Sequence, residues 1–385
     1  MEPKTLLYIN ADFVYPPNHG DRVDTWNRIQ TLTSLGYEVD LVCTVKEKPQ
    51  DTYINYVEQV VHKLYLCKRK NRIIDMFDKN PLQLVSRKRL ADINFTRAYD
   101  FLFIDDTADI YILRNQTLKY RKALLHMNND NVVYFKALAN SEHNLFKKLY
   151  YWIESKKFKA IDRFVVKKIP NIAFVSDEER ERYQKRYPQI NAFFLPVAIN
   201  LECKKRPLDN KTALIIGSLF MTNNRDAIEF YVSQVHPILS QRYKDYQLIV
   251  AGNSRGNSIS WLYDKCKKYS NIKVYDSPDD LEAIYESGTV FVNPMRFGAG
   301  VKLKTVNAII NGLPVVSTTI GNEGTGLVDK RDIYIANTPE EMADRISDIF
   351  AMSPGDKERF IISAQKYLLN QYDQKKSLSE YLSNL

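Results

Sequence analysis

The stretch that decides the fold is Asn293–Val316, NPMRFGAGVKLKTVNAIINGLPVV, which follows the apolar run TVFV at residues 289–292. The apolar run predicts a strand. The small residues 298–300 predict a loop whose amide groups can approach a ligand closely, because few Cβ atoms stand in the way. Residues 301–310 then predict a helix, which Gly312 and the following proline bring to an end.

Two lysines, Lys302 and Lys304, fall in the first turns of the predicted helix. The free N–H groups and the dipole of a helix N-terminus attract negative charge, so the stretch predicts a phosphate site. An ordinary strand–loop–helix connection with surface lysines would show the same spacing.

The composition bounds the class of protein. At 385 residues and 44% hydrophobic, the chain is long enough for two domains that each have a core. The sequence has no run near the roughly 18 apolar residues that cross a bilayer, and its start, MEPKTLLYIN, lacks the pattern of a secretory signal. Wide cysteine spacing favours reduced cytosolic thiols over a disulfide framework or a metal site. The cysteines are Cys43, Cys67, Cys203 and Cys266.

Positive charge is concentrated in the first half of the chain. Residues 1–200 hold 32 Lys and Arg against 24 Asp and Glu, whereas residues 201–385 hold 23 against 22. Segments 62–90 and 146–168 interleave these cations with aromatic and aliphatic residues, which suits an anionic membrane surface. Solvated helix faces whose aromatic side chains turn into the core are the alternative for each segment. The chain shows no DNA- or RNA-binding signature, so we expect no nucleic-acid partner.

Short apolar runs alternate with amphipathic helical stretches along the chain, which is typical of α/β domains with parallel sheets. Twelve runs predict strands: residues 5–11, 39–45, 63–67, 100–105, 122–127, 172–176, 213–218, 246–252, 272–276, 289–293, 313–318 and 332–336. They divide into two sheets of about six strands each, with a join near residues 193–210. Residues 355–385 predict two helices.

The opening stretch resembles a family signature, P-x-R-x-G-A-G-x-x-x-K-x-x-E-A-x-x-x-G-x-P-V-V. This is the pattern of a bacterial branch of the retaining family 4 glycosyltransferases, which have the GT-B fold. The residues that match are Pro294, Arg296, Gly298, Ala299, Gly300, Lys304, Ala308, Gly312, Pro314, Val315 and Val316. The segment LIIGSLFMTNN at residues 214–224 and the turn GNEGTGL at residues 321–327 are also similar to this family. The first half of the chain resembles it more loosely.

The resemblance implies an α/β protein of the GT-B class, in which two Rossmann-like, doubly wound domains face each other across a cleft. It assigns residues 1–197 to an acceptor-side domain and residues 198–365 to a domain that binds the nucleotide sugar. Residues 366–385 are then the C-terminal helix that crosses back to the first domain. Ligands of such sheets bind beyond the carboxyl ends of the strands.

The resemblance also implies a reaction, the transfer of a hexosyl or deoxyhexosyl group from a nucleotide diphosphate sugar to an acceptor hydroxyl, with retention. Helix N-termini and cationic side chains stabilise the departing diphosphate in such sites, so we expect neither a cofactor nor a metal. The residues expected at the donor are Gly20, Gly217, Ser218, Arg296, Gly298, Ala299, Gly300, Lys302, Lys304 and Asn307. For Arg296, an ion pair that pins its loop to an acidic neighbour is the alternative.

The first half adds its own candidates. His126 closes a predicted strand, where the family places a histidine that contacts the donor sugar, and it is the catalytic candidate; a structural histidine is the alternative. The candidates for binding sugar or acceptor are Asp21, Arg22, Asn128 and Asp130. The polar residues 128–131 would also suit a helix cap. Asp105 and Asp106 are interpreted as capping residues at a strand end.

Asn307 departs from the family pattern, which has a glutamate there that accepts hydrogen bonds from both ribose hydroxyls of the donor. An amide offers one acceptor oxygen and an NH₂ donor instead, so the exchange costs about 1.5–3 kcal/mol of donor affinity. The first hypothesis is therefore an active enzyme that uses a deoxyribose donor such as a dTDP-sugar.

Two other functions stay open. A catalytically silent GT-B subunit would keep the fold and assist a partner glycosyltransferase or bind glycan. A GT-B sugar-nucleotide epimerase would need further acidic and histidine residues in its site, and the chain has five histidines. We expect the active transferase, in the cytoplasm or peripheral on the inner face of a bacterial cell membrane. Its expected acceptor is a lipid-linked or growing oligosaccharide of a surface polysaccharide.

Overall fold

The computed structural model describes residues 3–17, 20–70, 72–142, 144–199, 201–278, 280–298 and 300–385. The chain divides into two compact units, one formed by Met1–Ile199 with Tyr372–Leu385 and the other by Asn200–Gln371. Within the described ranges, no helix has the length and apolar character needed to cross a membrane.

Thirteen strands lie in the described part of the chain. They are β1 (Thr5–Asn10), β2 (Glu38–Val45), β3 (Lys63–Lys68), β4 (Ala98–Asp105), β5 (Lys119–Met127), β6 (Asn171–Phe174), β7 (Asn191–Phe194), β8 (Thr212–Ile216), β9 (Gln247–Gly252), β10 (Ile272–Asp276), β11 (Val290–Asn293), β12 (Val315–Ser317) and β13 (Tyr334–Ile335). Each of the twelve predicted runs overlaps one of them. The unpredicted strand is β7, whose residues are only partly buried and whose run ends just before Pro196, a pattern typical of a linker.

Helices connect these strands. They are α1 (Gly20–Ser34), α2 (Asp51–Glu58), α3 (Leu82–Val85), α4 (Asn131–Ser141), α5 (Leu145–Lys168), α6 (Asp177–Arg186), α7 (Thr222–Phe230), α8 (His236–Arg242), α9 (Ser260–Cys266), α10 (Glu282–Glu286), α11 (Leu303–Ile310), α12 (Pro339–Ala351), α13 (Pro354–Gln371) and α14 (Gln374–Asn384). A π-helical turn, Tyr231–Val235, joins α7 to α8, and 3₁₀ turns span Ile73–Phe77, Lys88–Asp92, Thr107–Arg114 and Ile320–Asn322.

Both sheets are parallel and share one strand order. The first runs β3-β2-β1-β4-β5-β6-β7 and the second β10-β9-β8-β11-β12-β13, with every pair of neighbours parallel. In each sheet the order reverses beside the first strand, which is the doubly wound arrangement of Rossmann-like domains. The prediction of two parallel α/β sheets is confirmed. The carboxyl ends of β1 and β4, and of β8 and β11, mark the places where such sheets bind ligands.

Each sheet is covered on both faces, as parallel sheets require. All five residues of β8 are buried. The two predicted C-terminal helices behave differently: α13 lies in the second unit, whereas α14 follows the boundary at residue 372 and belongs to the first. Leu378 and Leu382 of α14 pack in the same hydrophobic cluster as Trp26 of α1.

Candidate functional site

In the second unit, the turn after β8 is built around two glycines in contact. A Cβ atom added to Gly252 would lie 1.7 Å from the carbonyl oxygen of Gly217, so the end of β9 must be a glycine for this turn to form. Asn224 closes the turn, since its Nδ2 donates to the Ser218 carbonyl at 3.0 Å. A Cβ at Gly217 would lie 3.3 Å from Lys304 Nζ. The fold therefore brings together three residues that the sequence placed at the donor: Gly217, Ser218 and Lys304.

Lys304 differs from the cations around it because it has no acidic partner within ion-pair distance among the described residues. Its Nζ donates to the amide oxygen of Asn224. Burial, with a further contribution from the charge of Lys302, lowers the pKa of Lys304 to about 8. A buried amine without an acidic partner is stabilised by a bound anion, because the anion replaces the lost hydration and balances the charge.

The other two cations of the motif already have partners. Lys302 Nζ donates to the Gly300 carbonyl at 2.6 Å and pairs with Glu323 at 3.2 Å. Arg296 Nε donates to an Asp226 carboxylate oxygen at 2.9 Å, and its Nη2 donates to the other oxygen. The ion pair that was the alternative for Arg296 is therefore present.

The loop before α11 requires its glycines. Gly298 has φ of 134° and Gly300 has φ of 80°, which an L side chain rarely adopts. Ala299 lies outside the described residues. The helix was predicted from residue 301 but begins at Leu303, with Lys302 as the N-cap residue at ψ of 72°. The left-handed backbone of the loop delays the first helical turn by two residues.

Asn307 lies three residues beyond Lys304 on α11, so the two side chains are neighbours on the helix surface. Asn307 is exposed, as a group that contacts a ligand from solvent has to be.

Asn293, at the end of β11, was not among the predicted site residues. It is fully buried, and its Nδ2 donates to Thr305 Oγ1 at 2.9 Å and to the Gly321 carbonyl at 2.8 Å. These bonds tie the strand end to α11 and to the loop after β12, which fixes the direction of α11. A polar residue that ends an otherwise apolar strand was the available signal.

In the first unit, a buried polar network joins the ends of β4 and β5. His126 Nδ1 lies 2.6 Å from Asp105 Oδ1. Asp105 also accepts from the hydroxyls of Tyr8, at 2.6 Å, and Thr25, at 3.0 Å, and from Arg28 Nη1 at 3.2 Å. His126 is fully buried, and its Nε2 has no hydrogen-bond partner in the described residues.

This network corrects the interpretation of Asp105 as a capping residue. Burial alone raises the pKa of Asp105, but the charge of Arg28 and the hydrogen bond from His126 lower it more, so that the pKa lies well below its usual range. Asp106 does act as a cap, because its carboxylate accepts from the Ala108 amide at 2.7 Å. The sequence missed the role of Asp105 because its partners lie as far as 97 residues away.

The remaining candidates lie at the beginnings of α1 and α4. Gly20 and Asp21 open α1, and Arg22 in the same turn pairs with Asp12 at 2.9 Å. Asp130 is the N-cap of α4 and also pairs with Arg186 at 3.1 Å, so the capping role that the sequence left open is present. Asn128 is half-buried in the bend between β5 and α4.

A cavity of about 490 Å³ lies beyond the carboxyl ends of β1, β2 and β3. Its walls include Tyr15 and Tyr53. Four basic side chains and two acidic ones also line it: Arg22, Lys46, Lys48, Arg69, Asp12 and Glu47. Arg22 and Lys48 are paired with acidic residues, Lys48 with Asp51 at 2.6 Å. Within the described residues, Arg69 has no ion pair.

Solved structures with the same fold cover nearly the whole chain. Staphylococcus aureus TarM in complex with Fondaparinux, alpha-GlcNAc-glycerol and UDP has a TM-score of 0.67 at 11% identity, covering 99% of both chains. Anabaena HepE in complex with UDP and glucose has a TM-score of 0.64 at 11% identity, covering 99% of this chain and 100% of HepE. A glycosyltransferase from Rickettsia africae has a TM-score of 0.65 at 12% identity, covering 100% and 99%.

The two Rossmann-like sheets and these likenesses show that the chain has the GT-B fold. Residues 210–352 match the family model of the group 1 glycosyl transferases. A Klebsiella pneumoniae protein described as "Uncharacterized 44.6 kDa protein in cps region" is 34% identical over 382 residues, which cover 97% of this chain and 98% of the relative. Residues 210–352 therefore form a group 1 glycosyltransferase domain, as the resemblance of the motif implied, and the whole chain belongs to the same family as the Klebsiella protein.

Proposed function

We propose that this glycosyltransferase moves a hexosyl or deoxyhexosyl group from a nucleotide diphosphate sugar to a hydroxyl of a lipid-linked or growing glycan, with retention and without a metal. Two of the structural neighbours, TarM and HepE, are complexes with UDP, and the Klebsiella relative is encoded in a cps region. Both facts support a nucleotide-sugar donor and a role in the assembly of a surface polysaccharide.

The observation that carries the donor assignment is the environment of Lys304. Its amine is held beside the Gly217 turn by Asn224, close to the first turn of α11, and within the described residues no carboxylate neutralises it. A diphosphate placed there would contact the amine and the N-terminus of α11 together. Stabilising this diphosphate as it leaves is the main chemical work that such a transfer requires.

The acceptor is proposed to bind the first unit at the cavity lined by Arg22 and Arg69. Tyrosine rings form walls against which a sugar ring can pack, and the basic side chains favour an acceptor that carries phosphate or carboxylate. A lipid-linked sugar diphosphate has both a sugar ring and phosphate groups. His126 is proposed to act on the sugar through Nε2, with Asp105 fixing the opposite ring nitrogen.

Asn307 is proposed to select a donor with a deoxyribose, such as a dTDP-sugar, because an amide satisfies one hydroxyl better than two. Thermal-shift titration of the purified chain with dTDP, UDP and GDP tests this. We expect the tightest binding for dTDP, and Asn307→Glu is expected to shift the preference toward UDP by about tenfold or more, as restoring a charged acceptor should.

The matched control is Gln241→Glu, which adds the same charge at an exposed helical position of α8. It should leave the nucleotide preference unchanged. A wild-type preference for UDP or GDP over dTDP would rule out the deoxyribose hypothesis.

Transfer itself is tested with radiolabelled sugar nucleotides, membrane extracts that contain lipid-linked glycan, and EDTA. Product that forms in EDTA and keeps the anomeric configuration of the donor supports the proposal. If the purified chain binds none of the nucleotides and transfers no sugar, it is instead the catalytically silent subunit. The absence of the family glutamate at position 307 is compatible with that alternative as well.

A further inference from the structure

Helix α5 of the first unit turns an apolar stripe toward solvent. The exposed fractions along the stripe are 79% for Leu145, 87% for Phe146, 56% for Leu149, 53% for Trp152 and 38% for Ile153. These positions follow the spacing i, i+1, i+4, i+7 and i+8, which places them on one face of the helix. The opposite face, with Phe158, Ile161 and Val165, fills the core. Helix α5 therefore carries apolar side chains on two opposite faces, and only one of these faces is buried.

A second exposed apolar segment lies beside this stripe. In the 3₁₀ turn Ile73–Phe77, the exposed fractions are 69% for Ile74, 40% for Met76 and 86% for Phe77. Lys157 of α5 donates to the carbonyl of Met76 at 3.0 Å, which holds the turn against the helix. We call the eight side chains Ile74, Met76, Phe77, Leu145, Phe146, Leu149, Trp152 and Ile153 the apolar patch.

The charges that α5 itself exposes beside the apolar patch have one sign, whereas Asp78 and Glu142 lie next to the patch outside the helix. Helix α5 carries eight Lys and Arg residues and two acidic ones. Both acidic residues, Glu154 and Asp162, are buried, and Glu154 is paired with Lys157 at 2.9 Å. In the 3₁₀ turn Ile73–Phe77, Asp75 is paired with Arg72 at 3.0 Å. The exposed surface of α5 therefore offers apolar groups and cations alone, and Lys156 lies over the ring of Trp152 at 5.2 Å.

We propose that the apolar patch docks on an anionic lipid bilayer, with Phe77 and Phe146 inserted below the headgroups and the lysines of α5 at the lipid phosphates. A bilayer presents negative charge in a plane above an apolar interior, and this is the arrangement that the patch complements. A protein partner would need acidic residues on all sides of an apolar surface of the same shape. This inference does not depend on which sugar or nucleotide the protein uses.

The place of the apolar patch also agrees with the proposed acceptor. Arg69 lines the cavity of the first unit, and Ile74 follows it by five residues, so their Cα atoms are at most about 18 Å apart. A lipid-linked glycan anchored in the bilayer could therefore reach the cavity. This step, unlike the docking, rests on the proposed function.

Co-sedimentation with vesicles tests the docking. At low salt, the full chain is expected to pellet with vesicles of phosphatidylcholine and phosphatidylglycerol in equal parts, and to stay in the supernatant with phosphatidylcholine alone. The double variant Phe77→Ser with Phe146→Ser should lose about tenfold of partitioning for each ring. Lys147→Gln with Lys148→Gln should lose about fivefold for each charge and weaken the salt dependence.

The matched control is Tyr263→Ser, which removes a side chain that is 52% exposed in the second unit; it should pellet like the wild type. A second measurement is made on the wild-type protein. Its tryptophan emission should shift to the blue on anionic vesicles, and the variant Trp152→Phe should not show this shift. UDP or dTDP affinity should be the same in all variants, which separates this test from that of the donor site.

Three results would overturn the proposal. The wild type could remain in the supernatant with anionic vesicles at low salt. The phenylalanine double variant, with an unchanged melting temperature, could pellet as well as the wild type. Sedimentation velocity could instead show that the double variant converts an oligomer to a monomer, which would make the apolar patch an interface between copies of the chain.

Discussion

The binding of nucleotide is expected to depend on pH through Lys304. Burial and the neighbouring Lys302 lower the pKa of Lys304 to about 8 in the free protein. A bound diphosphate would favour the charged amine and raise that pKa again. Binding should therefore take up a proton when the pH is near or above 8, and the affinity should fall as the pH rises through this value.

The size of the effect follows from the titration of one group. With a pKa near 8, about nine-tenths of the free protein carries the charged amine at pH 7 and about one-tenth at pH 9. The Kd for UDP should thus rise about tenfold between these two pH values. The effect of Lys304 on the stability of the apo protein should have the opposite pH dependence, because above pH 8 this lysine binds more protons in the unfolded chain than in the folded one. The contribution of Lys304 to the stability of the apo protein should therefore increase with pH up to about 10.5, the unfolded value for lysine.

Isothermal titration calorimetry of UDP or dTDP from pH 7 to pH 9, in buffers of different ionisation enthalpy, measures both the affinity and the proton uptake. Lys304→Met removes the charge and should weaken binding by about tenfold to a hundredfold at pH 7, the value of one charged hydrogen bond. Lys304→Arg keeps a charge that does not titrate in this range, so its affinity should be independent of pH. A flat Kd in the wild type, or a pH step that survives in Lys304→Arg, would refute the reasoning.

Two further predictions concern the scaffold. Arg28→Met should lower the free energy of unfolding by about 3–5 kcal/mol in urea titrations, since it leaves the buried carboxylate of Asp105 without the charge of Arg28; a loss below 1 kcal/mol would show that this ion pair does not stabilise the fold. Gly252→Ala should abolish nucleotide binding or unfold the second unit, because the new Cβ would meet the Gly217 carbonyl at 1.7 Å. Gly355→Ala, which has open space at that position, is the control and should be close to neutral in both assays.

The sequence alone was enough to predict both sheets and to single out several of the residues that the fold gathers around Lys304. Most of the twelve strands were visible as apolar runs, because strands buried on both faces are continuously apolar. The partly exposed edge strands β3 and β10 were visible instead as short runs rich in apolar and aromatic residues. The motif around Lys304 was visible because glycines, a lysine and a helix start are close together in the chain. The one strand that was missed, β7, has only four residues and ends just before Pro196, a context that the sequence indicated as the join between domains.

Only the tertiary structure decided which charged groups have a partner of opposite charge. Both Arg296 and Lys304 are candidates for phosphate in the sequence, with an ion pair as the alternative for Arg296. The fold gives Arg296 a carboxylate partner in α7 and gives Lys304 an amide. The role of Asp105 and the exposure of Phe146 were likewise decided by residues far away in the chain. Local pattern determines strands, helices and turns because these depend on neighbours in sequence, whereas pairing, burial and pKa depend on neighbours in space.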